Sequence, residues 1–466
     1  MPTTRPSGPI QLVRGLGPYA TTAVVAGTVI GTGIFIVPSL MLAHVGTPLK
    51  VVGVWVFAGL LSFCGALGYA ELGAALPQAG GEYVYLREAY GPGMGFLYGW
   101  TQFVVAKAAS IATIATGFLL YLAFFFPGLA KVVWQPPGGR GLALDFKLTG
   151  LQLGSALLIL LISGLNVLGV RRSGTVQTVF TVAKLSVLGT VIVLGLVLGH
   201  GSFGHFLVLA RGAGAVTAAS SGFLLATVSA LWAFDGWNNL SMVAAEVENP
   251  QRNMPRALIV GSLIVLAVYL LANLVYFYVL TPDEALATST IAITAARHFL
   301  GAGGATFVAV GVLISIFAAL NGSILSGSRI PYAQARDGLF PAALARVNPR
   351  FHTPAVAIAA QAVLASIFAL TGAYETLYTK AIYSEWIFYA LVTAGLLILR
   401  RRRPELRRPY RTWGYPAVPL LFVAIAALLL GDTLRERPAD ALWCLGLVAS
   451  GIPAYGIWRW LKARQA

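Results

Sequence analysis

Two short stretches put polar backbone where an apolar chain tolerates it least. Gly31-Thr32-Gly33 interrupts the run VIGTGIFIVP, Val29 to Pro38, and the turn dipeptide Asp235-Gly236 interrupts LWAFDGWNNL, Leu231 to Leu240. In hydrocarbon an unpaired backbone group costs several kcal/mol, so a broken helix survives only where protein or a water-filled cavity surrounds the break. A break also creates binding chemistry. The half-helix after it exposes amides at a positive dipole end, which suits an anion, and the half-helix before it exposes carbonyls, which suit a cation. A third residue belongs with these. Lys184 lies nine residues from the start and fifteen from the end of its own apolar run, 175–199, where inserting a lysine costs about 2.5–3.5 kcal/mol.

The elements that position these residues are membrane helices. The chain has 466 residues, 58% hydrophobic and only 10% charged, against about a quarter charged in a soluble domain. Segments of about 20 apolar residues cross a core of roughly 30 Å. Twelve are expected, at 19–43, 51–76, 96–126, 149–168, 175–199, 218–245, 256–280, 302–335, 353–371, 377–399, 415–431 and 440–461. The fold class is therefore an all-α integral membrane protein. The 52 glycines fit close helix approach within a bilayer.

The net charge of +16 is a topology signal rather than a nucleic-acid footprint. Of the 32 Lys and Arg, 21 fall in or at span ends on the side that carries both termini, nine on the other, and Lys107 and Lys184 deep within spans. The positive-inside rule puts both termini in the cytoplasm. The opening stretch MPTTRPSGPIQLVRGLGPY lacks the apolar core and cleavage site of a removed signal peptide. Cys64 and Cys444 both lie in expected spans, and the five histidines are scattered, so neither a disulfide framework nor a metal or other cofactor is expected.

No soluble domain interrupts the spans. The segment 281–301 is too polar to cross and reads as a short helix lying outside over the bundle. The two breaks fall in the first and sixth spans, corresponding members of two five-helix sets, which is the sequence sign of an inverted repeat with its site between the halves. The expected organisation is a tail at 1–18, repeats at 19–199 and 218–399, and two further helices at 415–461. A plainer reading makes both breaks packing devices. A receptor would show a sensing domain, a channel a filter and an enzyme a polar catalytic cluster; the sequence displays none of these.

Six motifs in order resemble the L-type family of the amino acid–polyamine–organocation (APC) superfamily: IGTGIFIVP; LPQAGGEYVYLREAYGP (76–92); NVLGVRRSGTVQTVFTVAKL (166–185); LWAFDGWNNLSMVAAEVENPQRNMPRAL (231–258); NGSILSGSRIPYAQARDGLFP (321–341); and RRRPELRRPYRTWGYP (401–416). The resemblance implies a LeuT-like alternating-access fold, a 5+5 inverted repeat plus two helices, that carries L-amino acids across the bilayer. Animal relatives hold a heavy subunit through a cysteine between the third and fourth helices. The loop 127–149 contains none, so no covalent heavy subunit is expected, and the bacterial inner membrane is the expected location.

An α-amino acid offers one carboxylate and one ammonium on the same carbon, and a broken helix offers both complements. The expected substrate site comprises Val29, Ile30, Gly31, Thr32, Gly33, Trp232, Ala233, Asp235, Gly236 and Asn238. The Thr32 and Gly33 amides would take the carboxylate, with the Thr32 hydroxyl assisting. The resemblance assigns the ammonium to the carbonyls of Val29, Trp232 and Asp235, and the gate to Trp232. Asn238 lines the side-chain pocket or bonds helix backbone, and Trp386 and Tyr389 restrict that pocket. The resemblance places Lys184 where sodium-coupled relatives hold a cation, tying the unwound first helix to Ser323 or Ser326. Asp235 pairs with Lys184, caps the second half-helix or carries a proton. Glu246 is expected beside Arg252 or Arg329, and Lys107 has no assigned role. The leading expectation is a sodium-independent exchanger of small to medium neutral amino acids. Its rival is a proton-coupled symporter of broader or cationic specificity, with Asp235 or Lys184 carrying the proton.

Overall fold

Prolines preset the first turn of six helices, at Pro18, Pro48, Pro92, Pro250, Pro282 and Pro438, where the missing N–H costs nothing. The computed structural model describes residues 14–135, 147–168, 173–211, 219–351, 353–372 and 374–464. In chain order the helices are α1 Pro18–Val29, α2 Gly33–Val45, α3 Pro48–Ala75, α4 Glu82–Tyr90, α5 Pro92–Thr101, α6 Lys107–Leu122, α7 Gly150–Val167, α8 Ser173–Leu198 and α9 Ala219–Phe234. They continue with α10 Asn239–Met242, α11 Pro250–Val279, α12 Pro282–Ala287, α13 Ile291–Gly327, α14 Arg329–Arg336, α15 Ala355–Thr371, α16 Tyr374–Arg402, α17 Ala417–Glu436 and α18 Pro438–Ala463. Among the described residues ten stretches are long and apolar enough to cross a membrane, and Gly222–Phe234 and Ala355–Thr371 are shorter apolar helices.

The first run breaks as its glycines foretell. α1 ends at Val29 and α2 restarts at Gly33. The sixth run breaks between Phe234 and Asn239. The third span starts four residues earlier than expected and contains one π-helical turn, Gln102–Ala106, before Lys107. The polar segment 281–301 is two pieces rather than one. α12 starts with a reciprocal Thr281–Glu284 capping box. The second piece opens α13, which bends at Gly301, where φ is 64°. The expected single helix is therefore fused to the next span through a glycine-permitted corner.

α1 packs on α8 and α11, and α2 on α9. One buried carboxylate fastens the arginine-rich end. Glu71 of α3, wholly buried, accepts two bonds from Arg400 at 2.8 and 2.6 Å and one from the Thr412 amide at 2.7 Å. Arg408 stands 3.4 Å away. A bidentate guanidinium pair adds geometric specificity to charge. Glu71→Gln keeps the volume but loses the charge, and is expected to cost about 1.5–3 kcal/mol, read as a lower melting temperature of the purified protein. An unchanged melting temperature would show that the cluster holds no tertiary structure.

Candidate functional site

The helical ladder stops at the first break and resumes after a gap. The Ile30 amide still donates to the Ala26 carbonyl, and the next bonded amide is that of Phe35, to Thr32. The amides of Gly31, Thr32, Gly33 and Ile34 donate to nothing among the described residues. They are nonetheless buried, so the site presents a row of donors without acceptors.

The second break faces the first. Gly236 has φ of 112°, a left-handed conformation, and its carbonyl accepts from the Thr28 hydroxyl at 2.9 Å. A Cβ on Gly33 would sit 2.4 Å from both Cα and Cβ of Ala233. The two chains therefore meet backbone to backbone. Between them is a cavity of about 20 Å³, walled by Thr32, Gly33, Trp232, Asp235, Asn239 and Ser323 among others. That is room for little more than one water molecule.

Several expected residues line this cavity: Val29, Gly31, Thr32, Gly33, Trp232, Asp235 and Gly236. Ile30 and Ala233 stand behind it. The Ile30 carbonyl accepts from Lys184 at 2.7 Å, and the Val29 and Ala233 carbonyls both lie 3.0 Å from the Tyr269 hydroxyl. Trp232 is buried, donates its indole N–H to Tyr374 at 3.0 Å and stacks on Tyr378. Tyr374 in turn donates to the Thr32 hydroxyl at 2.9 Å. Three helices are thereby linked across one side of the cavity.

Asn238 corrects the expectation. It turns away from the cavity and donates to Glu82 at 2.8 Å, and its neighbour Asn239 lines the cavity instead. Consecutive residues of a helical turn point about 100° apart, so only one of the two asparagines faces the site. Tyr98 and Ser241 also donate to Glu82. Burial pushes the Glu82 carboxyl above its ordinary range, against the Asn238 and Tyr98 hydrogen bonds. The Asn239 side-chain oxygen accepts from Lys107 at 2.8 Å and from Ser326 at 3.2 Å, which gives Lys107 a partner the sequence did not reveal.

Lys184 is held at the break, but not by the expected hydroxyls. Its ammonium donates to the Gly27 and Ile30 carbonyls, each at 2.7 Å. The hydroxyl that shares the Ile30 carbonyl is Ser315. Ser323 and Ser326 lie eight and eleven residues further along α13, at 1.5 Å of rise each. Ser323 lines the cavity, and Ser326 bonds Asn239.

Asp235 neither pairs with Lys184 nor caps α10, which begins without a side-chain cap. It accepts from the Tyr389 hydroxyl at 2.7 Å, and that hydroxyl also lies 3.2 Å from Glu385. Trp386 stacks on Phe422, away from the cavity wall. Tyr269, Tyr374, Asn239, Ser315 and Glu385 were missed. For Glu385, wholly buried in a span, the rule that singled out Lys184 supplied the signal.

The chain ahead of α1 is tied to the segment after α10. The Gly15 and Leu16 amides donate to the Glu246 carbonyl, and the Glu248 amide donates to that of Leu16. Arg329 stands 3.6 Å from Glu246, the second of its two expected partners. Asp337 takes hydrogen bonds from Tyr83 and Arg87.

Residues 16–434 match the family model described as Amino acid permease. The chain is 34% identical over 449 residues to the human b(0,+)-type amino acid transporter 1, covering 96% of this chain and 88% of that one. It is 32% identical over 461 residues to the Serine/threonine exchanger SteT of Bacillus subtilis (strain 168), covering 98% of each. To the rabbit (Oryctolagus cuniculus) Large neutral amino acids transporter small subunit 2 it is 30% identical over 451 residues, 96% of this chain and 81% of that one. Two facing helix breaks, a row of free buried amides and matches along nearly the whole chain converge: it belongs to the amino acid permease family, in the L-type branch of the APC superfamily, and is a multi-pass membrane transporter of amino acids.

Proposed function

We propose that this chain is a sodium-independent antiporter exchanging small to medium neutral L-amino acids, such as alanine, serine, threonine and cysteine and some larger ones, across a bacterial inner membrane. It works by alternating access in a twelve-span, LeuT-like 5+5 repeat, with 1–18 as a cytoplasmic tail, 19–199 and 218–399 as the halves and 415–461 as two added helices. Both termini face the cytoplasm. The Thr32 and Gly33 amides take the substrate carboxylate, with the Gly31 and Ile34 amides beside them. The ammonium goes to carbonyls of Val29, Trp232 and Asp235, since a carbonyl already bonded once keeps a second lone pair. Trp232, anchored through Tyr374, closes over the substrate. No covalent heavy subunit is needed; part of the loop that would carry its cysteine, 136–146, lies outside the described residues.

One observation carries the ion independence: the Lys184 ammonium already occupies the Gly27 and Ile30 carbonyls that end α1. A fixed cation there leaves a sodium ion nothing to supply. In liposomes holding the purified protein, uptake of labelled serine is expected to require unlabelled amino acid inside. It is also expected to ignore both replacement of sodium by potassium and an imposed pH gradient. Uptake into empty liposomes driven by an inward proton gradient would sink the antiporter reading.

A broader specificity has an observation of its own. Asp235 places a carboxylate on the cavity wall with Tyr389 as its hydroxyl partner, and such a group favours a substrate with a cationic side chain. Asp235→Asn is expected to lower arginine exchange at least tenfold and to leave serine exchange within about threefold, since a charge-assisted bond is worth about 1.5–3 kcal/mol. An equal loss for both substrates would assign Asp235 to the shape of the break instead.

A further inference from the structure

On the end of the bundle that carries the N-terminus, an open basin of about 830 Å³ lies between the start of α1, the end of α3, the start of α11 and the loop after α16. Its charged walls are Arg252, Arg256 and Arg407, with one carboxylate, Glu248. None of the three guanidiniums makes an ion pair or a side-chain hydrogen bond with the described residues. Several arginines nearby do. Arg400 and Arg408 hold Glu71, Arg403 reaches Glu88 and Glu405, and Arg329 stands by Glu246. The three in the basin thus share one cavity with no carboxylate paired to any of them among the described residues.

Arg252 and Arg256 are four residues apart on α11, so two like charges share one helix face. The same face continues through Val260 and Leu263, each 47% exposed. Cation, cation, aliphatic, aliphatic is the order in which a helix entering a membrane meets headgroup and then acyl chain. The planar fork of a guanidinium suits phosphate oxygens, and basic clusters at the cytoplasmic surface recognise anionic lipid. A soluble phosphate would use the arginines but would have no use for the aliphatic continuation.

We propose that this basin binds the phosphate of an anionic phospholipid, with its acyl chains lying along Val260 and Leu263 of α11. The site adjoins the tie between the chain ahead of α1 and the segment after α10. Pro18 opens α1, and the Glu248 amide holds the Leu16 carbonyl. A lipid seated here braces the entry of α1 against α11.

Binding is independent of the transport reading and is tested without it. The purified full-length protein is titrated with dioleoylphosphatidylglycerol or dioleoylphosphatidylcholine, and retained lipid is counted by native mass spectrometry. A variant with Arg252→Gln, Arg256→Gln and Arg407→Gln is compared with a control carrying Arg346→Gln, Arg401→Gln and Arg402→Gln, three exposed arginines elsewhere. Wild type and control are expected to retain one phosphatidylglycerol under conditions that strip phosphatidylcholine, and the basin variant at least tenfold less. Should the triple variant not fold, Arg407→Gln alone, in an exposed loop, is expected to lower retention several-fold. Equal retention by wild type and the basin variant (or Arg407→Gln) overturns the proposal, as does equal retention of the two lipids by wild type. Displacement of the lipid by soluble glycerol phosphate would assign the basin to a soluble phosphate and overturn it too.

Discussion

Lys184→Met is expected to lower amino acid exchange at least tenfold while the protein still purifies as a folded monodisperse species. Methionine has nearly the length of lysine and no donors. The substitution leaves the carbonyls of Gly27 and Ile30 without the ammonium that meets both at 2.7 Å. Each buried acceptor stripped of its partner costs about 1–3 kcal/mol, and these two lie at the end of α1, where the ladder has already stopped. The cost falls on the closed geometry of the break. Ser315→Ala is the comparison, because its hydroxyl reaches the same Ile30 carbonyl only at 3.4 Å; it is expected to change exchange less than threefold. The assay is counterflow of labelled serine in liposomes, with sodium varied. Full exchange by Lys184→Met would show that the ammonium does not hold the break, and the account of sodium independence would fall with it.

Where a single residue type contradicts its surroundings, the sequence was informative. Glycines and an Asp-Gly turn inside apolar runs marked both breaks to within a residue or two, and one lysine in mid-span marked its own functional candidacy. What the sequence could not convey was helix phase and long-range partnership. Asn238 and Asn239 are adjacent and identical, and the four-residue α10 that orients them has no apolar periodicity from which to read a face. Ser315, Ser323 and Ser326 all lie in one long helix, and only its depth relative to α8 decides which one shares a carbonyl with Lys184. Glu82 gathers Asn238, Tyr98 and Ser241 from sequence separations of 16 to 159 residues. No local pattern records such a convergence. The Glu246–Arg329 pair was legible because the family motifs bring both residues into view, though not the choice of Arg329 over Arg252.

Gly33→Ala is expected to reduce exchange by more than tenfold, a consequence of one methyl group. The added Cβ would lie 2.4 Å from Cα and Cβ of Ala233 and 3.2 Å from its amide nitrogen. Two of these atoms belong to backbone, so no rotamer change relieves the overlap and the two broken helices must separate. Overpacking of this kind costs about 1–3 kcal/mol in an ordinary core. Here the same displacement also moves the Thr32 and Gly33 amides away from the carbonyls of the facing break, so substrate contact is lost along with packing. Two glycines on other helices, Gly53 and Gly164, meet nothing within 4 Å. Alanine at either, which favours helix by about 0.8–1.0 kcal/mol over glycine, is expected to leave exchange intact. If Gly33→Ala transports as well as those controls, the two breaks do not form one backbone site, and the substrate must be read by side chains alone.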